Sequence, residues 1–267
     1  MGQVYIIPDR QDTERSIRLA EEYGASFEYN DFWKPDVLDD RAKQEEIIEH
    51  YARYKTDFSQ DTMHGAFLDI YVNSSDSLIR KVSQDRVIES LKIAERMGLR
   101  GVVFHTGLIG SLRSSGYLKE WKERNTAFFA EIAQRYPKQE IFMENMFDET
   151  PEMLAELAES LRDVKNFGVC FDYAHGAVTN CPEEEWVRVL APYIRHMHIN
   201  DNDLYADLHG SVGSGSIDWQ VFDSLMHQYE IDSTVLIEVY GYKAQKESLE
   251  YLKKTHIFPL DESRGAK

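Results

Sequence analysis

Long apolar runs are missing from this chain: no stretch approaches the ~18 residues that span a bilayer, although 42% of its 267 residues are hydrophobic. Membrane insertion is therefore not expected. Cysteine is scarce as well, limited to Cys170 and Cys181, too few for a disulfide framework. The opening residues contain no charged segment leading into an apolar one, so no secretory leader is read there, and a reducing, cytoplasmic setting is the expectation. Positive charge is the third shortage. Lys and Arg total 30 against 47 Asp and Glu, a formal charge of -17. Phosphate neutralisation supplies much of the affinity for nucleic acid, so a small molecule is expected as partner and nucleic acid is not. Low-complexity segments and linkers are also lacking, and the length suits one domain over 1–267, with a homo-oligomer left open.

What is present is a repeated alternation of short β-rich runs with longer helical patterns, the mark of βα units around a parallel sheet. Eight strands are read: Val4–Ile7, Ser26–Tyr29, Thr62–His64, Gly101–His105, Glu140–Asn145, Phe167–Asp172, His196–Asn200 and Thr234–Val239. Helices are expected over Thr13–Tyr23, Asp39–Thr56, a segment ending at Gly98, Trp121–Tyr136, Pro151–Arg162, Pro182–Leu190, Trp219–Tyr229 and Lys243–Lys254. Eight parallel strands with right-handed crossovers close into an α/β fold of the (β/α)8 TIM-barrel type. A doubly wound dinucleotide fold would need a glycine-rich turn after the first strand, where Pro8-Asp9-Arg10 stands instead.

Catalytic groups of such barrels sit at the carboxyl ends of the strands, on inward-pointing side chains. The last inward residues read as Glu28, His64, His105, Glu144, Asp172, His198 and Glu238, all of metal-ligand type. Alternation along each strand turns Met143, Phe171, Ile237 and Val239 toward the helices instead. A lone Glu within Leu236-Ile237-Glu238-Val239 would cost several kcal/mol if buried without an offset, and a divalent cation is the simplest one. His175 follows Asp172 by three residues, and Asp207-Leu208-His209 lies in the loop after strand seven. One such residue is usually structural; His64, His105, Glu144, Asp172, His175, His198, Asp207, His209 and Glu238 together on one rim point to a metal site. His196 shares the inward face one layer deeper, suited to a supporting role or a core hydrogen bond. Glu28 is open between substrate contact and pairing with a nearby base. Of Phe32 and Trp33, either can line the pocket, with Trp33 expected at the rim. The Gly213-Ser214-Gly215 turn reads equally as an anion-binding loop or a plain turn.

These residues resemble the xylose isomerase-like barrel superfamily, which includes sugar isomerases, ketose epimerases and the endonuclease IV family. The resemblance covers nearly the whole chain. It is carried by His64-Gly65-Ala66-Phe67-Leu68-Asp69, Phe104-His105-Thr106-Gly107, Glu144-Asn145, Asp172-Tyr173-Ala174-His175, His198-Ile199-Asn200-Asp201, Asp207-Leu208-His209 and Gly213-Ser214-Gly215-Ser216-Ile217-Asp218-Trp219. The epimerase branch implies one divalent ion (Mn, Zn or Co) held by Glu144, Asp172, His198 and Glu238. Glu144 and Glu238 would also be the catalytic acid and base beside a sugar carbonyl. Ketose 3-epimerases usually place an arginine in the loop where this chain has Asp207 and His209. The endonuclease IV branch implies up to three zinc ions and phosphodiester hydrolysis at abasic DNA. His64, His105, Glu144, Asp172, His175, His198, Asp207, His209 and Glu238 match its ligand types. The reading adopted from sequence is a metal-dependent sugar isomerase or epimerase, with the zinc phosphodiesterase second and a non-catalytic, metal-stabilised binding protein third.

Overall fold

The computed structural model describes residues 3–146 and 148–261. Eight strands pair in sequence order, all parallel, and the eighth closes on the first. They are β1 Val4–Ile6, β2 Ser26–Tyr29, β3 Thr62–His64, β4 Gly101–His105, β5 Glu140–Glu144, β6 Phe167–Asp172, β7 Ile194–Ile199 and β8 Thr234–Ile237. The helices are α1 Thr13–Tyr23, α2 Pro35–Leu38, α3 Arg41–Ala52, α4 Ser77–Met97, α5 Ser115–Arg135, α6 Glu152–Ser160, α7 Tyr173–Ala177, α8 Glu183–Leu190, α9 Trp219–Gln228 and α10 Tyr242–Thr255. Among the described residues no helix is long and apolar enough to cross a membrane.

Strand alternation divides the core in two. Val102, Phe104, Ile141, Met143, Val169, Phe171, Met197, Ile237 and Val239 join the large apolar layer between barrel and helices. The opposite parity fills the barrel with small clusters, Tyr5 with Ile7 and Leu236, and Val103 with Phe142 and Cys170. A side chain two residues beyond one of these apolar positions points into the barrel mouth. That places Glu144 above Phe142, Asp172 above Cys170 and Glu238 above Leu236. Between β6 and β7 the register slips after Val169, so Val169 pairs with Ile194 but Cys170 with His196. The bulge keeps His196 and His198 on the inner face while β7 starts two residues earlier than expected.

Several helix boundaries differ from expectation, each for a local reason. The helix expected over Asp39–Thr56 is the shorter α3, which Asp40 caps by accepting from Ala42 N at 2.9 Å and Lys43 N at 3.2 Å, and a separate short helix not read from sequence, α2, opens at Pro35 before it. Helix α5 begins at Ser115, six residues before the expected start at Trp121, and Pro182 is the N-cap of α8 rather than its first residue. The segment ending at Gly98 does form α4, capped by Asp76 and closed by Gly98 at φ 75°. Helix α7 lies outside the sequence reading. It is a single turn capped by the Asp172 carboxylate itself, which accepts from His175 N at 2.7 Å.

Candidate metal centre

The strand ends converge on three ligand groups, with a fourth of Cys170, His196 and His198 one layer deeper, and within each the candidate ligand atoms lie within 4.8 Å of one another. One comprises His64, His105 and Glu144; a second, Glu144, Asp172, His198 and Glu238; a third, His175, Asp207 and His209. Glu144 belongs to two of them. Its Oε2 is 3.4 Å from His64 Nε2 and 3.3 Å from His105 Nε2, while its Oε1 is 3.4 Å from His198 Nδ1. All nine residues read as possible ligands are thus brought together. His50, His227 and His256 stay apart on α3, on α9 and at the end of α10.

The histidine tautomers are set by backbone carbonyls. His64 Nδ1 is 3.0 Å from Gly65 O, His175 Nδ1 2.8 Å from Asn145 O, and His209 Nδ1 3.0 Å from Glu238 O. A carbonyl only accepts, so each Nδ1 donates its hydrogen and each neutral Nε2 keeps a lone pair for the centre. The second group meets a stricter test. Glu144 Oε2, Asp172 Oδ2, His198 Nδ1 and Glu238 Oε2 are all buried without a hydrogen-bond partner. Buried polar atoms left unpaired are costly; Asp172 Oδ2, His198 Nδ1 and Glu238 Oε2 fit a cation in this group, while Glu144 Oε2 fits one on the side of His64 and His105.

Charge coupling points the same way. Burial, reinforced by Glu238 and Glu144 against the pull of His175, pushes the Asp172 carboxyl up to about 7. Burial alone would lower the His175 imidazole, but Asp172, Asp207 and Glu144 hold it well above its ordinary value. For His209, Asp207 and Glu238 outweigh burial and raise the imidazole to about 9. Protons therefore occupy these sites in a cation's stead, and cation binding would release them.

Glu28, open between two readings above, is 0% exposed and pairs with histidines: its oxygens lie 3.1 Å from His196 Nε2 and 3.0 Å from His198 Nε2. It has no surface for substrate. Trp33 is half-buried at the rim, its ring 4.8 Å from Phe67, and Phe67 lies 4.8 Å from the rings of both His64 and His105. Phe32 is fully buried. Beside His105 opens a cavity of about 520 Å³ lined by Phe67, Ile70, Leu108, Ile109 and Met146, with Asp69 and Glu149 among its walls and, among the described residues, no Lys or Arg.

Two supporting residues were not singled out from sequence. Asn145 clamps β5 to β6, giving Nδ2–H to Asp172 O at 2.9 Å and accepting from Asp172 N at 2.9 Å. Asp201 takes hydrogen bonds from Gly213 N at 2.9 Å, Ile217 N at 3.2 Å and Trp219 Nε1 at 2.8 Å. The glycine turn therefore wraps a side chain of this chain, not an outside anion. Their signal was adjacency, since each adjoins or closes a strand-end motif that contains a candidate ligand.

A closed parallel barrel with metal-type ligands at its strand ends defines a class of metal-site (β/α)8 barrels. Residues 17–255 match the model of the xylose isomerase-like TIM barrel family, and the chain belongs to that family. It is 24% identical over 210 residues to a probable endonuclease 4 of Persephonella marina, covering 70% of this chain and 72% of that protein. In fold it is similar to a D-tagatose 3-epimerase-like protein, with TM-score 0.72, 24% identity, and 94% of this chain and 96% of that one covered. A Thermus thermophilus protein soaked with ZnCl2 superposes with TM-score 0.73 at 22% identity, over 94% of this chain and 97% of that one.

Proposed function

We propose that the protein is a divalent-metal-dependent hydrolase of small phosphate esters. The observation that carries this reading is Glu144, whose two oxygens face separate ligand groups. A carboxylate shared in this way joins ligand groups; it is not free to shuttle a proton. When bound, divalent cations would supply Lewis-acid activation of water and neutralise phosphate charge, or on a sugar polarise a carbonyl. The residues do the rest. Phe67 and Trp33 shield the His64 and His105 side from water, and the cavity beside His105 takes the organic part of the substrate. Its size suits a small molecule, and the charge of -17 argues against duplex DNA as the partner. The endonuclease relative lends support to phosphoester chemistry.

A second reading keeps a specific observation of its own. Glu144, Asp172, His198 and Glu238 form a complete buried group, each with an unpartnered atom, which suffices for one ion. A sugar isomerase or epimerase could then use Glu144 and Glu238 as acid and base on either side of the substrate carbon. Metal analysis of protein purified without added metal or chelator separates the two, paired with cleavage of bis(p-nitrophenyl) phosphate and solvent-deuterium uptake into sugars. About three ions with phosphoester cleavage is expected; about one ion with deuterium uptake would replace the hydrolase by the isomerase. His209→Ala should be severe in the first case and mild in the second. Cation binding without either activity would leave the non-catalytic reading.

A further inference from the structure

His198 differs from His64, His175 and His209 in that its Nδ1 is buried without a hydrogen-bond partner. His64, His175 and His209 each give Nδ1–H to a backbone carbonyl and keep Nε2 for the centre. In His198 it is Nδ1 that faces the centre, 3.3 Å from Glu238 Oε2 and 3.4 Å from Glu144 Oε1. Its Nε2 points down into the barrel, 3.0 Å from Glu28 Oε1; this is ion-pair distance without hydrogen-bond alignment, and both atoms are buried without a hydrogen-bond partner. We infer that Glu28 is a positioning residue: it holds His198 as the tautomer protonated at Nε2, so that Nδ1 presents its lone pair to the cation.

The cage around Glu28 explains why. Thr62 Oγ1 donates to Glu28 Oε2 at 2.7 Å. His196 Nε2 lies 3.1 Å from the same oxygen, and its Nδ1 is 2.6 Å from the Thr234 hydroxyl, which can serve it as donor. An ionised carboxylate accepts and never donates, so every group facing Glu28 must bring a hydrogen. His198 Nε2 is one of those groups. Glu28, His196 and His198 are all 0% exposed. Cys170, grouped with the two histidines, offers only a weak thiol donor and acceptor. A carboxylate behind a ligating imidazole also raises its basicity toward the metal.

This inference rests on His198 being a cation ligand and not on which reaction follows. The test is cobalt(II) titration of the metal-stripped full chain, read by absorption and chelator competition, together with imidazole ¹⁵N resonances of the metal-free protein. Glu28→Gln keeps one acceptor oxygen but puts an N–H2 where the other carboxylate oxygen stood, so a group of the cage must turn a lone pair inward. The expected result is cobalt affinity lowered roughly 10- to 100-fold, the range for lost partners of this kind. The His198 proton should move toward Nδ1 while the metal-free melting temperature stays close to wild type. Thr62→Val, which keeps the carboxylate and removes one donor, should give a smaller loss in the same direction and stands in should Glu28→Gln not fold. Wild-type affinity in folded Glu28→Gln, or in Thr62→Val if that variant alone folds, overturns the inference. No cobalt binding by the wild type overturns the metal centre itself, and with it this role for Glu28.

Discussion

Asp148 shows how a single carboxyl beside the candidate centre answers to pH. Its Oδ2 accepts from Thr106 Oγ1 at 2.7 Å and Met146 N at 3.1 Å, while Oδ1 is buried without a partner. Burial pushes the carboxyl up from 3.8 to about 6, against the pull of those two donors. Between those values the folded chain holds a proton that the unfolded chain has released. Stability is therefore fully present below pH 3.8 and is lost as pH rises through about 6, by about 3 kcal/mol in all. Asp148→Asn keeps an acceptor and cannot ionise. Urea unfolding of the metal-free proteins should show the stability difference moving in the variant's favour by about 2 kcal/mol between pH 4.5 and 7.5. An equal difference at both pH values would mean that Asp148 ionises in the fold as freely as in water.

Glu144 sets a second expectation at the same scale. Glu144→Gln removes the shared carboxylate, so cation affinity should fall by more than about 100-fold, beyond the range for a group that only orients a ligand. Equilibrium dialysis against zinc or manganese checks this, and near-normal binding would show that Glu144 does not hold the ions together.

At the scale of elements, the loop between β7 and α9 depends on Asp201. This 1% exposed carboxylate gathers the amides of Gly213 and Ile217 and the Trp219 indole. The turn that does so has no room for a side chain at Gly215, where a Cβ would come within 2.4 Å of both Asn202 O and Asp201 Oδ1. Because the same loop carries Asp207 and His209, Asp201→Ala should strike twice. Leaving these donors unpaired should cost about 3 kcal/mol or more, and the group of His175, Asp207 and His209 should lose its cation first. Metal content reduced by one ion with the other sites retained is the expected result; full metal content would show that the loop holds its shape without Asp201.

The barrel and its strand ends were legible in the sequence because both obey a period of two. Once Ile237 and Val239 face the helices, Glu238 has to face the mouth. Helix starts were less legible. Ser114, ahead of α5, makes no capping hydrogen bond with its side chain. The part of the site that no periodicity encodes is its tautomers. That His64 and His209 donate from Nδ1 depends on where Gly65 O and Glu238 O come to rest, and that is a matter of tertiary position.

For the whole molecule, the centre concentrates unpaired polar atoms where the barrel is most buried. Glu144 Oε2, Asp172 Oδ2, His198 Nδ1 and Glu238 Oε2 have no hydrogen-bond partner in the fold, while the unfolded chain solvates them. The apolar layer around the barrel outweighs that cost, so the metal-free protein should fold, but below its full stability. A cation that binds only the assembled site adds stability by mass action, about 2.7 kcal/mol at a hundred times its dissociation constant. For a chain of this size that corresponds to a melting point higher by roughly 5 to 10 °C. Thermal melts of chelator-stripped protein with and without zinc or manganese should show this rise. Glu238→Gln should show a smaller one, because it weakens one of the groups that the cation would join. Identical melting with and without either ion would mean that the buried carboxylates are balanced by protons alone, and that the metal centre is not one.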